Sequence, residues 1–242
     1  MNEPSSRHAG FAPTRWSLVL AAGKHADAPA RAALAELCAA YWYPLYAYVR
    51  RRGHDADAAA DLTQGFFARL IERNDFAAAD RERGRFRAYL LAALRHFLAD
   101  ERDRATAEKR GGGAAPLSLD FERADSKWHQ EPAVDETPER AYERGFAHEL
   151  LDRALGRVER DYGARGEARA FAVLVRTLTA PGDAPYRELA AELATSEGAV
   201  KVAAHRLRER WRAALREEVA ALVDDPADVD DELESLFRAL SG

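Results

Sequence analysis

Apolar residues that return every third or fourth position constrain this chain more than anything else in it. Leu34, Leu37, Cys38, Tyr41, Leu45 and Tyr48 recur in this way between about Ala30 and Arg52, which places them on one face of a helix. The same spacing puts Leu62, Phe66, Phe67, Leu70 and Ile71 on the apolar face of a helix over Asp57–Arg73. A third helix is predicted from about Phe86 to Lys109. Alanine and arginine are abundant, while β-branched residues and runs alternating with period two are scarce. The fold class expected is all-α.

Prolines and glycines divide these helices. Pro44 is expected to kink the first or split it, and Gly53 to end it. The run RGGGAAP stops helical structure after the third. From 111 to 139 the chain carries three prolines, little periodicity and a negative balance, the composition of a flexible acidic linker. Leu117, Leu119, Phe121 and Trp128 are too apolar for an inert spacer, so parts of it are expected to pack on a partner. Helices then fit Ala141–Arg160, Glu167–Leu178, Tyr186–Leu193 and Glu197–Leu222. The pattern predicts two small helical lobes, 30–110 and 140–222, joined by that linker. An N-terminal extension, 1–29, starts with a largely polar stretch over 1–13 that is expected to be disordered, and carries a short helix capped by Thr14. An acidic tail, 223–242, ends in a small apolar group of Leu233, Leu236, Phe237 and Leu240. No internal repeat is present.

The formal net charge is −5, which at first sight argues against a nucleic-acid partner. The distribution is uneven, however: arginines cluster in 81–110 and 201–216, and local charge governs docking to a polyanion. The single cysteine, Cys38, allows no intramolecular disulfide and fits a cytosolic compartment. Its place on an apolar helix face makes it a core thiol. The first residues lack the apolar stretch of a secretory signal. No apolar run approaches the roughly 20 residues that span a bilayer. A soluble, cytoplasmic protein without membrane contact is expected. Enzymatic chemistry is not: the glycines at 111–113 lack the Lys and Ser/Thr of a phosphate-cradling loop. The seven histidines are scattered without metal-ligand spacing, so neither metal nor cofactor is expected.

The segment PYRELAAELATSEGAVKVAAHRLRERWRAAL reads as a helix-turn-helix. Tyr186 opens a short helix with Leu189 and Leu193 inward, a three-residue turn follows, and Ser196 caps the next helix. Glu197 sits favourably in its first turn. Val200, Ala204, Leu207, Trp211 and Leu215 line one side, while Lys201, His205, Arg208, Arg212 and Arg216 line another. A helix with one face buried and one basic is shaped for the major groove. Base contacts are expected from its N-terminal part, Glu197, Gly198, Lys201 and His205. Arg206, Arg208 and Arg210 are placed for phosphates, which position without specifying sequence. A solvated amphipathic helix is the plainer alternative.

The first lobe narrows the class. The runs DAAADLTQGFFARLIER and GRFRAYLLAALRHFLADERDR resemble the promoter-melting lobe of bacterial extracytoplasmic-function sigma factors, and YRELAAELATSEGAVKVAAHRLRER resembles that family's −35-reading motif. The resemblance covers about 30–110 and 140–216, with both lobes in family order. It implies that Asp61, Leu62, Gln64 and Phe67 grip the clamp of core RNA polymerase. It also implies that the helix carrying Phe86, Arg87, Leu90, Arg95, His96, Asp100, Glu101 and Arg102 reads the −10 element. The connector Asn74–Gly84 would take up a flipped promoter base. The partners implied are core polymerase, through its clamp and flap, and promoter DNA, with the protein itself monomeric. Stacking beside cationic groups is how unpaired bases are held, and Arg81, Arg83, Arg85, Arg87, Arg95 and His96 lie near Phe76, Phe86, Tyr89 and Phe97 in the chain. Most of these aromatics are equally expected in the core.

Three departures from the family stand out. Ala58, Ala59, Ala60 and Gly65 leave the clamp-binding helix short of acid, and Gly65 weakens it by roughly 1 kcal/mol relative to alanine. Thr63 lies between Asp61 and Gly65, where a phosphate would add about −1.5 to −2 charges. The resemblance is to a subgroup linked to Ser/Thr protein kinases, so Thr63 is a candidate regulatory phosphosite. In the recognition helix, Val202 and Ala203 stand where relatives often carry Ser-Arg. The acidic tail is expected to fold back on the basic helix and compete with DNA, to contact another protein, or to serve only solubility. The competing functional class is a stand-alone helix-turn-helix regulator or adaptor that never engages polymerase. A degenerate scaffold that binds neither DNA nor polymerase is a further alternative.

Overall fold

A computed structural model describes residues 28–73, 86–107, 121–130, 136–179, 185–223 and 225–241. The expected N-terminal helix, the glycine run and the connector bearing Arg83 and Arg85 lie outside the described residues. Ten α-helices are defined within them: α1 (Ala28–Arg51), α2 (Ala56–Glu72), α3 (Phe86–Ala107), α4 (Phe121–Gln130), α5 (Pro138–Ala164), α6 (Ala168–Leu174), α7 (Arg176–Thr179), α8 (Tyr186–Glu192), α9 (Glu197–Ala220) and α10 (Val229–Ser241). No strand occurs among the described residues, as the helical spacing predicts.

The helix starts have local causes. The Asp55 carboxylate accepts from the Ala58 amide at 2.8 Å and the Thr137 hydroxyl from the Arg140 amide at 3.3 Å. These caps satisfy donors that a first turn leaves unpaired. Pro138 at the first position of α5 loses no hydrogen bond there. Pro44 does not divide α1, which is continuous through it.

Helix α5 organises the packing. It lies most extensively against α1 and also meets α9, α10 and α6. A Cβ added at Gly145 of α5 would stand 3.3 Å from the Pro44 Cα, so glycine permits the close approach of the two helices. Tyr41 stacks on Phe146 at 4.9 Å between ring centroids, a pairing worth about 0.5–1.5 kcal/mol beyond its buried area. Further along α5, Tyr162 meets Phe171 of α6 at 5.7 Å. The Trp211 indole N–H of α9 donates to the Leu151 carbonyl at 3.3 Å. The buried apolar residues therefore form one continuous cluster, from Cys38 to Leu236. The expected division into two lobes does not appear as a break in this core. Cys38 is buried in it, and that burial pushes its thiol up to about 12.

Part of the expected linker and the acidic tail are both built into the fold. Within the expected linker, α4 packs on α1: the Trp128 ring lies under the guanidinium groups of Arg50 and Arg51, at 5.1 and 4.7 Å. Asp125 of α4 accepts from the Tyr46 hydroxyl at 2.8 Å. The acidic tail forms α10, which packs on α5 and α9. Its Glu232 lies 3.0 Å from the Arg87 guanidinium of α3, Glu143 of α5 lies 3.1 Å from the same nitrogen, and Ser235 accepts from Arg87 at 2.9 Å. Arg87 and Glu232 are both buried. Removing one partner of a buried pair leaves a desolvated charge. Glu232→Ala is therefore expected to lower the unfolding free energy by about 3–5 kcal/mol in urea denaturation. A loss below about 0.5 kcal/mol would mean that Glu143 alone neutralises Arg87.

Candidate nucleic-acid interface

Helices α8 and α9 meet across a four-residue turn, Leu193–Ser196. Leu189 of α8 and Val200, Ala204 and Leu207 of α9 are buried together in the core. The Ser196 hydroxyl accepts from the Ala199 amide at 3.2 Å and so caps α9. Behind it, the Thr195 amide donates to the Ala190 carbonyl at 2.9 Å and the Ala194 amide to Ala191 at 3.2 Å. That pair of bonds is a Schellman closure, which requires a left-handed residue. The residue here is Ala194, at φ +52°, where glycine would sit without the steric cost of a Cβ.

The faces of α9 fall as the spacing predicts on the inner side and differently on the outer. Glu197, Gly198, Lys201, His205 and Arg206 are exposed. Lys201 pairs with Glu197 at 2.7 Å, and its ammonium holds that carboxyl below the usual carboxylate range. The Lys201 ammonium also lies 5.5 Å from the Tyr186 ring centroid. Arg208 departs from its expected role. It is half-buried and donates to the Thr177 carbonyl at 3.0 Å and to the Tyr186 hydroxyl at 3.3 Å, bracing the motif instead of facing a phosphate. Arg210 lies over the Tyr162 ring at 5.1 Å. Arg216, at the far end of the basic stripe, pairs with Asp230 of α10 at 2.6 Å. The tail thus reaches the C-terminal part of α9 and not its exposed N-terminal turns.

The first-lobe candidates separate into three groups. Leu62, Arg95 and Arg102 come together around a groove of about 490 Å³, which Arg52, His54, Leu98, Ala99 and Glu101 complete. Sequence reasoning missed Arg52 and His54, although the run Arg50–Arg52 before Gly53 signals cationic side chains at a helix end. Arg95 is anchored there by Glu139 of α5 and by the Tyr48 hydroxyl at 3.3 Å. Arg102 is exposed, 3.8 Å from Asp103. His96 is exposed beside a smaller cavity of about 130 Å³ lined by Phe66, Arg69, Leu70, Ala93 and Phe97.

The second group is internal. Arg87 is buried in the ion-pair cluster described above, and its backbone carbonyl accepts from the Tyr142 hydroxyl at 2.9 Å. Phe67 is fully buried, 6.0 Å from the Trp42 ring, so it supports α2 from within and offers no surface to a clamp. Thr63 is also fully buried, and its hydroxyl donates to the Ala59 carbonyl at 2.7 Å. This packing leaves the Thr63 hydroxyl away from the surface, where a kinase would meet it. The third group stays at the surface: Asp61 is exposed and Gln64 half-buried.

Among the described residues no group of His, Cys, Asp or Glu is arranged to hold a metal ion. No described helix is long and apolar enough to cross a membrane. Comparison of the chain with protein families, with curated proteins and with solved structures finds no match.

The left-handed alanine gives a direct test of the turn. Ala194→Gly is expected to raise stability by about 0.5–1 kcal/mol, the relief of the Cβ clash less the entropy of a freer unfolded chain. Calorimetry checks this, and a lower melting temperature would contradict the left-handed closure.

Proposed function

We propose that the chain is a DNA-binding transcription-initiation subunit of the extracytoplasmic-function sigma type, acting in the cytoplasm on core RNA polymerase and catalysing no reaction itself. The observation that carries this reading is the capped, braced helix-turn-helix, whose second helix buries Val200, Ala204 and Leu207 while exposing Lys201, His205 and Arg206. Such a helix lays its first turns against base edges and its flanking cations against phosphates. The groove of Arg52, Arg95 and Arg102 with Leu62 and Leu98, lined also by His54 and Glu101, supports the other half of the reading. Cations over an apolar floor are what a single strand needs, with phosphates held by charge and bases by contact.

A second reading, a stand-alone DNA-binding regulator, is favoured by one set of observations. Arg87 and Phe67, two of the positions the sigma resemblance uses, are internal to the fold, as is the candidate phosphosite Thr63, and α2 carries alanines where clamp-binding acid is expected. Phosphorylation of Thr63 is not part of the proposal for the same reason.

Co-elution with bacterial core RNA polymerase separates the two. The sigma reading expects the wild-type chain to co-elute. Sequence-selective duplex binding without co-elution would establish the regulator instead. Thr63→Glu places a charge in a fully buried site, so it is expected to cost about 3 kcal/mol or more of stability rather than to enhance binding. A Thr63→Glu protein that is as stable as wild type and binds polymerase better would restore the phosphosite.

A further inference from the structure

Large apolar side chains are exposed at three described positions, Ile71, Val202 and Phe237. Val202 is the one that stands on the outer face of the helix-turn-helix. Gly198, His205, Arg206 and Glu209 lie four residues before it and three, four and seven after it, and all are exposed. Val202 is therefore at the centre of the face that α9 turns away from its own core. It is 51% exposed. A β-branched residue also has lower helix propensity than the alanines around it. The protein thus carries a half-exposed apolar group in the middle of a polar surface.

We infer that Val202 is a specificity-determining residue that reads the 5-methyl group of a thymine in the major groove. This rests on the proposed DNA-binding role of α9. The major groove presents one apolar feature among its base edges, the thymine methyl, and short aliphatic side chains meet it. The surroundings fit that occupant. Gly198 has open space where a Cβ would be, so the base edge can approach the helix backbone. Lys201 and Arg206 flank the valine with positive charge, and the two carboxylates nearby are each held by a cation: Glu197 by Lys201 and Glu209 by Arg212. A cytosine at the same place offers an amino donor and no methyl, which Val202 cannot satisfy.

Deoxyuridine differs from thymidine only in that methyl, and it gives the test. A preferred duplex is selected from a randomised pool by the full-length protein with core RNA polymerase, and each thymine is then replaced in turn by deoxyuridine. For wild type, one such replacement is expected to weaken binding about fourfold, the effect of one buried methyl group. Val202→Ala is expected to bind the thymine and uracil duplexes equally, and Val202→Ile to keep the preference. A merely structural valine would change the melting temperature and leave the thymine-to-uracil ratio as in wild type. Wild type indifferent to every replacement, or Val202→Ala with the wild-type ratio, overturns the inference while leaving the functional reading intact. A pool that yields no preferred duplex overturns both.

Discussion

The crossing of α1 over α5 is the contact on which the rest of the architecture depends. Pro44 and Gly145 meet there. Proline removes a backbone N–H inside α1, and glycine removes the side chain that would hold the two backbones apart. The Tyr41–Phe146 stack then fills the space beside them. Because α5 spans 27 residues, the half beyond this crossing is left to serve other helices. Leu151 receives the Trp211 indole, Arg153 pairs with Glu218 at 3.4 Å, and Tyr162 packs on α6. One helix thereby carries the first three-helix group on one half and the helix-turn-helix on the other, and the core is continuous because α5 is.

The buried arginine follows from that arrangement. Where α3, α5 and α10 converge, the cluster contains Arg87, Glu143, Glu232 and Ser235, which are brought together from segments as far apart as 148 residues. Charges removed from water rarely add net stability compared with well-packed apolar groups. They do discriminate strongly against wrong arrangements, since any register of α10 that fails to meet Arg87 leaves a desolvated cation. An otherwise simple amphipathic tail helix is located by this requirement. Its acidic residues are structural on the side facing Arg87 and Arg216, and solvated elsewhere.

Much of this was legible in the sequence, including some of what was misjudged. The helices with strong three-to-four spacing fall within a few residues of their expected bounds, because their buried faces and caps are encoded locally. Thr63 was singled out for its polar neighbours, yet it shares spacing with Ala59, Phe66, Phe67 and Leu70, all buried. Arg87 likewise stands three, four and seven residues before Leu90, Leu91 and Leu94. In both cases the helical period outweighs the chemistry of the single residue. Helix α4 was not legible in that way. Phe121, Ala124 and Trp128 recur at helical spacing, but in so short and polar a segment that period is faint beside the contacts of Trp128 with two arginines and of Asp125 with Tyr46, which come from distant sequence. Helix α6 ends at Leu174, where a single helix to Leu178 was expected, and the Thr177 hydroxyl donates to the Leu174 carbonyl at the break, at 2.7 Å.

The division of labour among the arginines of α9 shows why a basic stripe overstates a binding face. Positions 201, 205, 208, 212 and 216 follow a regular spacing, but a period of 3.6 carries such a stripe across the helix surface. Arg208 lies four residues after buried Ala204 and next to buried Leu207, on the shoulder of the core. There it serves as a donor to the Thr177 carbonyl, near the end of α7 where carbonyls lack helical partners. Arg216 is drawn to Asp230 by the tail. What remains outward near the start of α9 is a narrower set: Lys201, His205 and Arg206 around Val202. A motif braced by its own inner arginine holds that set in place before any ligand arrives, which lowers the ordering cost of binding. On the proposed reading, the residues left to meet DNA are therefore fewer than those that are charged, and Arg208, which the charge pattern alone would assign to DNA, braces the motif from within.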